Sequence, residues 1–111
     1  MYKIIKKADN GWEVHEVVGI DTISLVKYSA NHHDINKLIE ALRLLYKSKV
    51  VEGSIDMNLA MQDEYLQDLS IGAYQFIINL DFWETFVFYP KQKEGNLYVM
   101  KVFDKLAIDT N

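Results

Sequence analysis

The chain has 111 residues, half of them hydrophobic and 13% aromatic, with 16 acids against 12 bases and a formal net charge of −4. That length suits one domain, residues 1–111 around one core, and the apolar content excludes an intrinsically disordered chain. The absence of cysteine excludes disulfide and thiolate chemistry and fits a cytoplasmic protein; no apolar run approaches the roughly 20 residues of a membrane span, and Met1–Asn10 lacks the apolar stretch of a secretion signal.

Tyr2–Ala8 and Trp12–Val18 read as two strands around Asp9-Asn10-Gly11, because Asn-Gly tolerates the positive φ that matches the twist of a hairpin. Gly19 and Asp21 break the pattern, and the β-branched residues of Thr22–Tyr28 predict a third strand. A helix is expected from about Asp34 to Lys47, where Ile35, Leu38, Ile39, Leu42 and Leu45 recur at helical spacing. Asn31 with Asp34 three residues on suits its N-terminus, and Lys47 and Lys49 suit the negative end of its dipole. Ile55, Met57, Leu59 and Met61 alternate with Ser54, Asp56, Asn58 and Ala60, the period of a half-buried fourth strand. Gln62–Leu69 is expected as a short helix, with a loop as the alternative.

Ala73–Leu80, Trp83–Tyr89 and Leu97–Phe103 are dense in aromatic and branched residues and read as three neighbouring strands, with Pro90 ending the middle one and Lys91–Asn96 as a hairpin link. The expectation is an α+β fold: a largely antiparallel sheet of about six or seven strands with one main helix, about 34–47, packed on a face. One helix leaves the other face to curl, meet solvent or meet a partner.

Charge is segregated along this order. Between Lys49 and Lys91 there is no lysine or arginine, while Glu52, Asp56, Asp63, Glu64, Asp68, Asp81 and Glu84 supply seven negative charges; the remainder carries 12 bases against nine acids. Gathered on one surface, such a block would steer a basic partner in. Tyr65, Tyr74, Phe82 and Trp83 lie among the acids, and rings supply the buried contact area an anchored interface needs. The candidate partner-binding residues are Glu52, Asp56, Asp63, Glu64, Tyr65, Asp68, Asp81, Trp83 and Glu84. The bland alternative is that the acids are solvated surface and the rings are core.

Catalytic and cofactor motifs are not legible. His32 and His33 are adjacent, so their side chains diverge, and His15 stands apart on a predicted strand; all three read as surface or capping histidines, with no metal site. The serines lack a glycine-framed elbow, and the five glycines are scattered singly, so neither a nucleophile motif nor a phosphate loop is expected. The lysines of Lys3, Lys6 and Lys7 and of Lys91 and Lys93 make thin patches, and the aromatic strands lie beside acids, which argues against nucleic acid.

In size, expected fold and charge character the chain resembles the small bacterial immunity proteins of contact-dependent growth-inhibition and related toxin systems. The resemblance carries no signature motif and transfers no residue role. It implies a non-enzymatic inhibitor that neutralises a basic toxin domain, of nuclease type, with no cofactor. The alternatives are a small enzyme or ligand-binding domain with a pocket between helix and sheet, using His15, Tyr74 or Trp83; a phage or plasmid mimic of nucleic acid; and a homodimeric module pairing edge strands or a bare sheet face.

Overall fold

A computed structural model describes residues 1–58 and 64–108 of the chain. The first hairpin joins β1 (Tyr2–Lys7) to β2 (Glu13–Val17). Gly11 takes a φ of 97° in the connection, a left-handed conformation that only glycine adopts without steric cost. The Ala8 N–H donates to the Trp12 carbonyl at 2.8 Å and closes the turn. β3 (Ile23–Lys27) pairs with β2, and α1 (His32–Tyr46) follows.

The N-terminus of α1 is the capping box that Asn31 and Asp34 suggest: the Asn31 side chain accepts from the His33 N–H, and the Asp34 carboxylate accepts from the Asn31 N–H. Two orphan amides are thereby satisfied, an arrangement whose side-chain cap alone contributes about 1 kcal/mol. Lys27 at the end of β3 donates to the same Asp34 carboxylate at 2.6 Å, so the cap also fixes the helix to the sheet. Ile35, Leu38, Ala41 and Leu42 form the buried stripe of α1, whereas Leu45 stays exposed.

A second meander follows: β4 (Val50–Asn58), β5 (Glu64–Ile71), β6 (Tyr74–Leu80) and β7 (Phe86–Pro90), and then α2 (Asn96–Ala107). The seven strands form one antiparallel sheet in the order β1-β2-β3-β7-β6-β5-β4, so the last strands of the two meanders, β3 and β7, meet at its centre.

Several expectations from the sequence are corrected. Leu97–Phe103 is not a strand but lies in α2, so the fold has two helices rather than one main helix. Val99, Val102, Phe103 and Leu106 are the buried residues of α2; their spacing is helical, and packing of that stripe overrides the β-preference of the individual side chains. Glu64–Ile71 is strand β5, not a short helix. Gln67 disguises its alternation, since a polar residue sits in the inward row of Tyr65, Leu69 and Ile71. That amide is satisfied: the Tyr65 hydroxyl donates to it at 2.7 Å and it donates to Glu52 at 3.0 Å. Lys91–Asn96 is not a hairpin link but a short 3-10 turn, Lys93–Gly95, entering α2; a Cβ on Gly95 would collide with Pro90. Trp83 precedes β7 rather than belonging to it. Leu59, Met61 and the Gln62 and Asp63 positions lie outside the described residues.

Both helices cover one face. α2 packs on β2, β3, β7 and α1, and α1 reaches β4. Trp12, Leu25, Phe76, Phe86 and Phe88 form the centre of this layer, with the Phe76 and Phe88 rings stacked at 5.1 Å and Trp12 edge-on to Phe86 at 5.4 Å. Each such side chain stabilises the fold by about 1.5–3 kcal/mol on burial. On the opposite face the register runs Glu13, Val26, Val87, Asn79, Leu66 and Asp56 across six strands.

Candidate functional site

Between β6 and β7 the chain reverses within Asp81–Thr85, and five hydrogen bonds fix how. The Asp81 N–H donates to the Thr85 carbonyl and the Glu84 N–H to the Asp81 carbonyl, at 3.1 and 3.0 Å. The Asp81 carboxylate accepts from the Trp83 and Thr85 N–H groups at 2.8 and 3.0 Å. The Ala30 N–H, in the connection from β3 to α1, donates to the Glu84 carbonyl at 2.8 Å and ties the turn to the helix start. Aspartate suits this position because its short carboxylate reaches amides two residues on.

The turn closes with Glu84 at a φ of 63°. A left-handed glutamate costs about 1–2 kcal/mol relative to a helical or extended one, and glycine would remove that cost. Inside the turn Phe82 is 53% exposed and Trp83 78%, their rings edge to face at 5.2 Å. Two large apolar side chains thus stand in water on a backbone too well held to fold them away.

The turn faces the N-terminus of α1 across a cleft of about 440 Å³ whose walls include Asn31, His32, Asp81, Trp83 and Glu84. Among the described residues no lysine or arginine lines it. The His32 ring meets the Tyr65 ring edge-on at 5.3 Å, and Tyr65 is in register with Leu80 at the end of β6. Asn79 donates to the Tyr65 carbonyl at 3.2 Å and to Glu64 at 3.5 Å. Burial raises the Tyr65 phenol above its ordinary range, with the nearby Glu52 charge adding to it, so the ring remains neutral at physiological pH.

The structure brings some of the sequence-derived candidates together and separates others. Asp81, Trp83 and Glu84 share the turn, Glu64 and Tyr65 flank it on β5, and Asp56 lies opposite Leu66 on β4, two pairs along the ladder from Glu64. Glu52 stands elsewhere, toward the helix-covered side, where it accepts from Gln67 and from Arg43 at 2.8 Å. Those two donors, opposed by partial burial, hold its carboxyl below the ordinary range. Asp68 is in register with Ile77 and 3.7 Å from the Lys91 ammonium. Asp63 lies outside the described residues. The seven acids therefore do not make a single surface: Glu52 and Asp68 each face a base supplied from outside the acidic segment.

Sequence reasoning missed His32 and Asn31 as parts of this end, and it noted Phe82 among the acids without placing it with the candidate partner-binding residues. The signal for Phe82 was its place beside Trp83 between two acids; that for His32 was its position directly after the helix cap. His15 is also corrected, being buried rather than a surface or capping residue. Its Nε2 is 2.7 Å from the Glu13 carboxylate and Tyr2 of β1 stacks on its ring at 4.7 Å, which anchors the edge strand. Beside it the Tyr28 hydroxyl is raised above its ordinary range, first by its hydrogen bond with Tyr2 and then by burial. A larger cleft of about 540 Å³, between α1 and α2, mixes Lys37, Glu40 and Lys105 with Leu44 and Leu106 and has no single sign of charge. Among the described residues no helix is long and apolar enough to cross a membrane.

Comparison of the chain with protein-family models, curated proteins and solved structures finds no match. Function is therefore argued from the geometry of this end of the sheet.

Proposed function

We propose that the chain is a non-enzymatic protein-binding inhibitor of the immunity or antitoxin type, which docks a basic toxin domain of nuclease class through the β6–β7 turn. One observation carries the reading: Phe82 and Trp83 are exposed on a turn fixed by five hydrogen bonds, in which a left-handed position is filled by Glu84. Both features work against stability, and strain combined with apolar exposure is characteristic of a functional surface. Burying two rings whose backbone is already held in place brings contact area with a reduced ordering cost. Asp81, Glu84 and the neighbouring Glu64 add a field that attracts a basic surface and repels an acidic one.

The test is capture of the partner from the native host on tagged full-length protein, repeated with Trp83→Ala and Glu84→Lys. A basic protein retained by the wild type, lost on Trp83→Ala by about thirtyfold in affinity, and recovered as an active nuclease silenced by added wild type supports the proposal. Association slowed steeply and salt-dependently by Glu84→Lys supports the electrostatic part. Equal retention by wild type and Trp83→Ala would remove the turn from the interface.

A further inference from the structure

We infer that the cleft between the α1 N-terminus and the β6–β7 turn seats an arginine side chain of the partner, its guanidinium against Trp83 and facing the Asp81 and Glu84 carboxylates. The inference rests on the docking reading above and names the chemistry of what is docked. It begins from what the cleft can accept. Among the described residues its lining includes two acids, Asp81 and Glu84, and no lysine or arginine, so an anion would meet repulsion. The α1 N-terminus offers little compensation, because the His33 N–H already donates to Asn31 and the Asp34 carboxylate closes the capping box. A neutral apolar group would strip water from the carboxylates and return no hydrogen bond.

A cation satisfies both walls at once. The indole face attracts positive charge through its quadrupole, and the carboxylates accept from N–H donors. Guanidinium fits better than ammonium. It is flat, weakly hydrated and able to stack on a ring while donating in its own plane, whereas a lysine head is a compact, strongly hydrated charge. The Asp81 carboxylate is held by the Trp83 and Thr85 amides, so it is positioned before the ligand arrives. Glu84 lines the same cleft at a left-handed backbone position that glycine would fill without cost. This gives the strained residue a role that stability does not.

The experiment titrates isotopically labelled full-length protein with N-acetyl-Gly-Arg-Gly-amide and with the matching lysine and citrulline peptides, following the Trp83 indole and the Asn31 and Thr85 amides by NMR. Citrulline keeps the shape of arginine and removes its charge. The expected result is millimolar binding of the arginine peptide, about threefold or more tighter than lysine and about tenfold or more tighter than citrulline. Glu84→Gln should weaken the arginine peptide at least about threefold and leave citrulline unchanged, with the rest of the spectrum superimposable on wild type as the check on folding. Citrulline matching arginine, shifts away from the turn, or Glu84→Gln binding as wild type would each overturn the seat. If Trp83→Ala abolishes partner capture while the peptides show no arginine preference, the docking surface stands and the seat falls. Arginine-selective shifts in a protein that captures no partner would leave the seat standing and defeat the inhibitor reading.

Discussion

The chain has two tryptophans, each placed by a tight turn, and the two turns are built to opposite ends. Trp12 follows Gly11, whose left-handed φ suits glycine, and it is 2% exposed, edge-on to Phe86 with the Lys27 ammonium 5.1 Å above its ring. Lys27 in turn binds the Asp34 that caps α1, so the first turn, the core and the helix start are mechanically joined. Trp83 sits in a turn whose left-handed residue is Glu84, and it is 78% exposed. The backbone requirement is similar in the two places, but the residue choices favour burial of the ring in one and its exposure in the other. A turn that gives up local stability while being firmly hydrogen-bonded is what the proposed docking role requires.

The largest expected effect sharpens that contrast. Trp12→Ala should cost about 3–5 kcal/mol by urea unfolding, from lost burial plus the cavity it leaves, a large share of the roughly 5–15 kcal/mol that holds a domain together. Trp83→Ala should stay within about 0.5 kcal/mol of wild type, although the proposed interface makes it the variant that loses the partner. A comparable loss of stability from the two changes would mean that Trp83 is packed in solution and that the contrast is false.

Exchanging the turn residues gives the next effect, with opposite signs. Gly11→Glu should destabilise by about 1–2 kcal/mol, because a side chain is forced into the left-handed region; the added Cβ itself would only brush Lys27, at 3.4 Å. Glu84→Gly should stabilise by up to about 1 kcal/mol, the strain relieved being partly offset by the extra freedom of glycine in the unfolded chain. Urea midpoints at unchanged slope read both. If Glu84→Gly loses stability instead, the glutamate makes a stabilising contact and its strain is compensated locally.

What the sequence made legible follows the range of the interactions. The Asn10-Gly11 turn, the Asn31 and Asp34 cap and the main helical stripe are local, decided within four residues, and they stand as read except for Leu45, which is exposed. The second helix was hidden because Val99, Val102 and Phe103 are strand formers by type, and their spacing had to outweigh their identity. β5 was hidden by Gln67, whose inward position makes sense only once Glu52 and Tyr65 are beside it. At the candidate site the acidic segment was visible, but its division was not: Arg43 reaches Glu52 and Lys91 lies near Asp68 only after the sheet has assembled. The exposure of Trp83 was one of two readings, set by its acidic neighbours, because a tryptophan at the head of an aromatic run also has the composition of a core strand.

Glu52 offers the smallest effect and the cleanest separation of charge that serves the fold from charge that serves a partner. Gln67 and Arg43 hold its folded-state carboxyl below the ordinary range, so the native state favours the ionised form. Its stabilisation is therefore complete above the unfolded carboxyl value near pH 4.3 and is lost as pH falls through the lower folded value. The side chain is 39% exposed, so solvent screening keeps the contribution small. Glu52→Gln retains an oxygen that can accept from Gln67 but removes the charge and the oxygen that accepts from Arg43, so its urea midpoint should lie slightly below wild type at about pH 7 and approach it as pH falls through the lowered folded value. A gap that persists in acid would mean that Glu52 acts through shape rather than charge. Partner retention should be unchanged in the same variant, because Glu52 lies away from the β6–β7 turn; a loss there would extend the docking surface along β4 and weaken the division between the two kinds of acid.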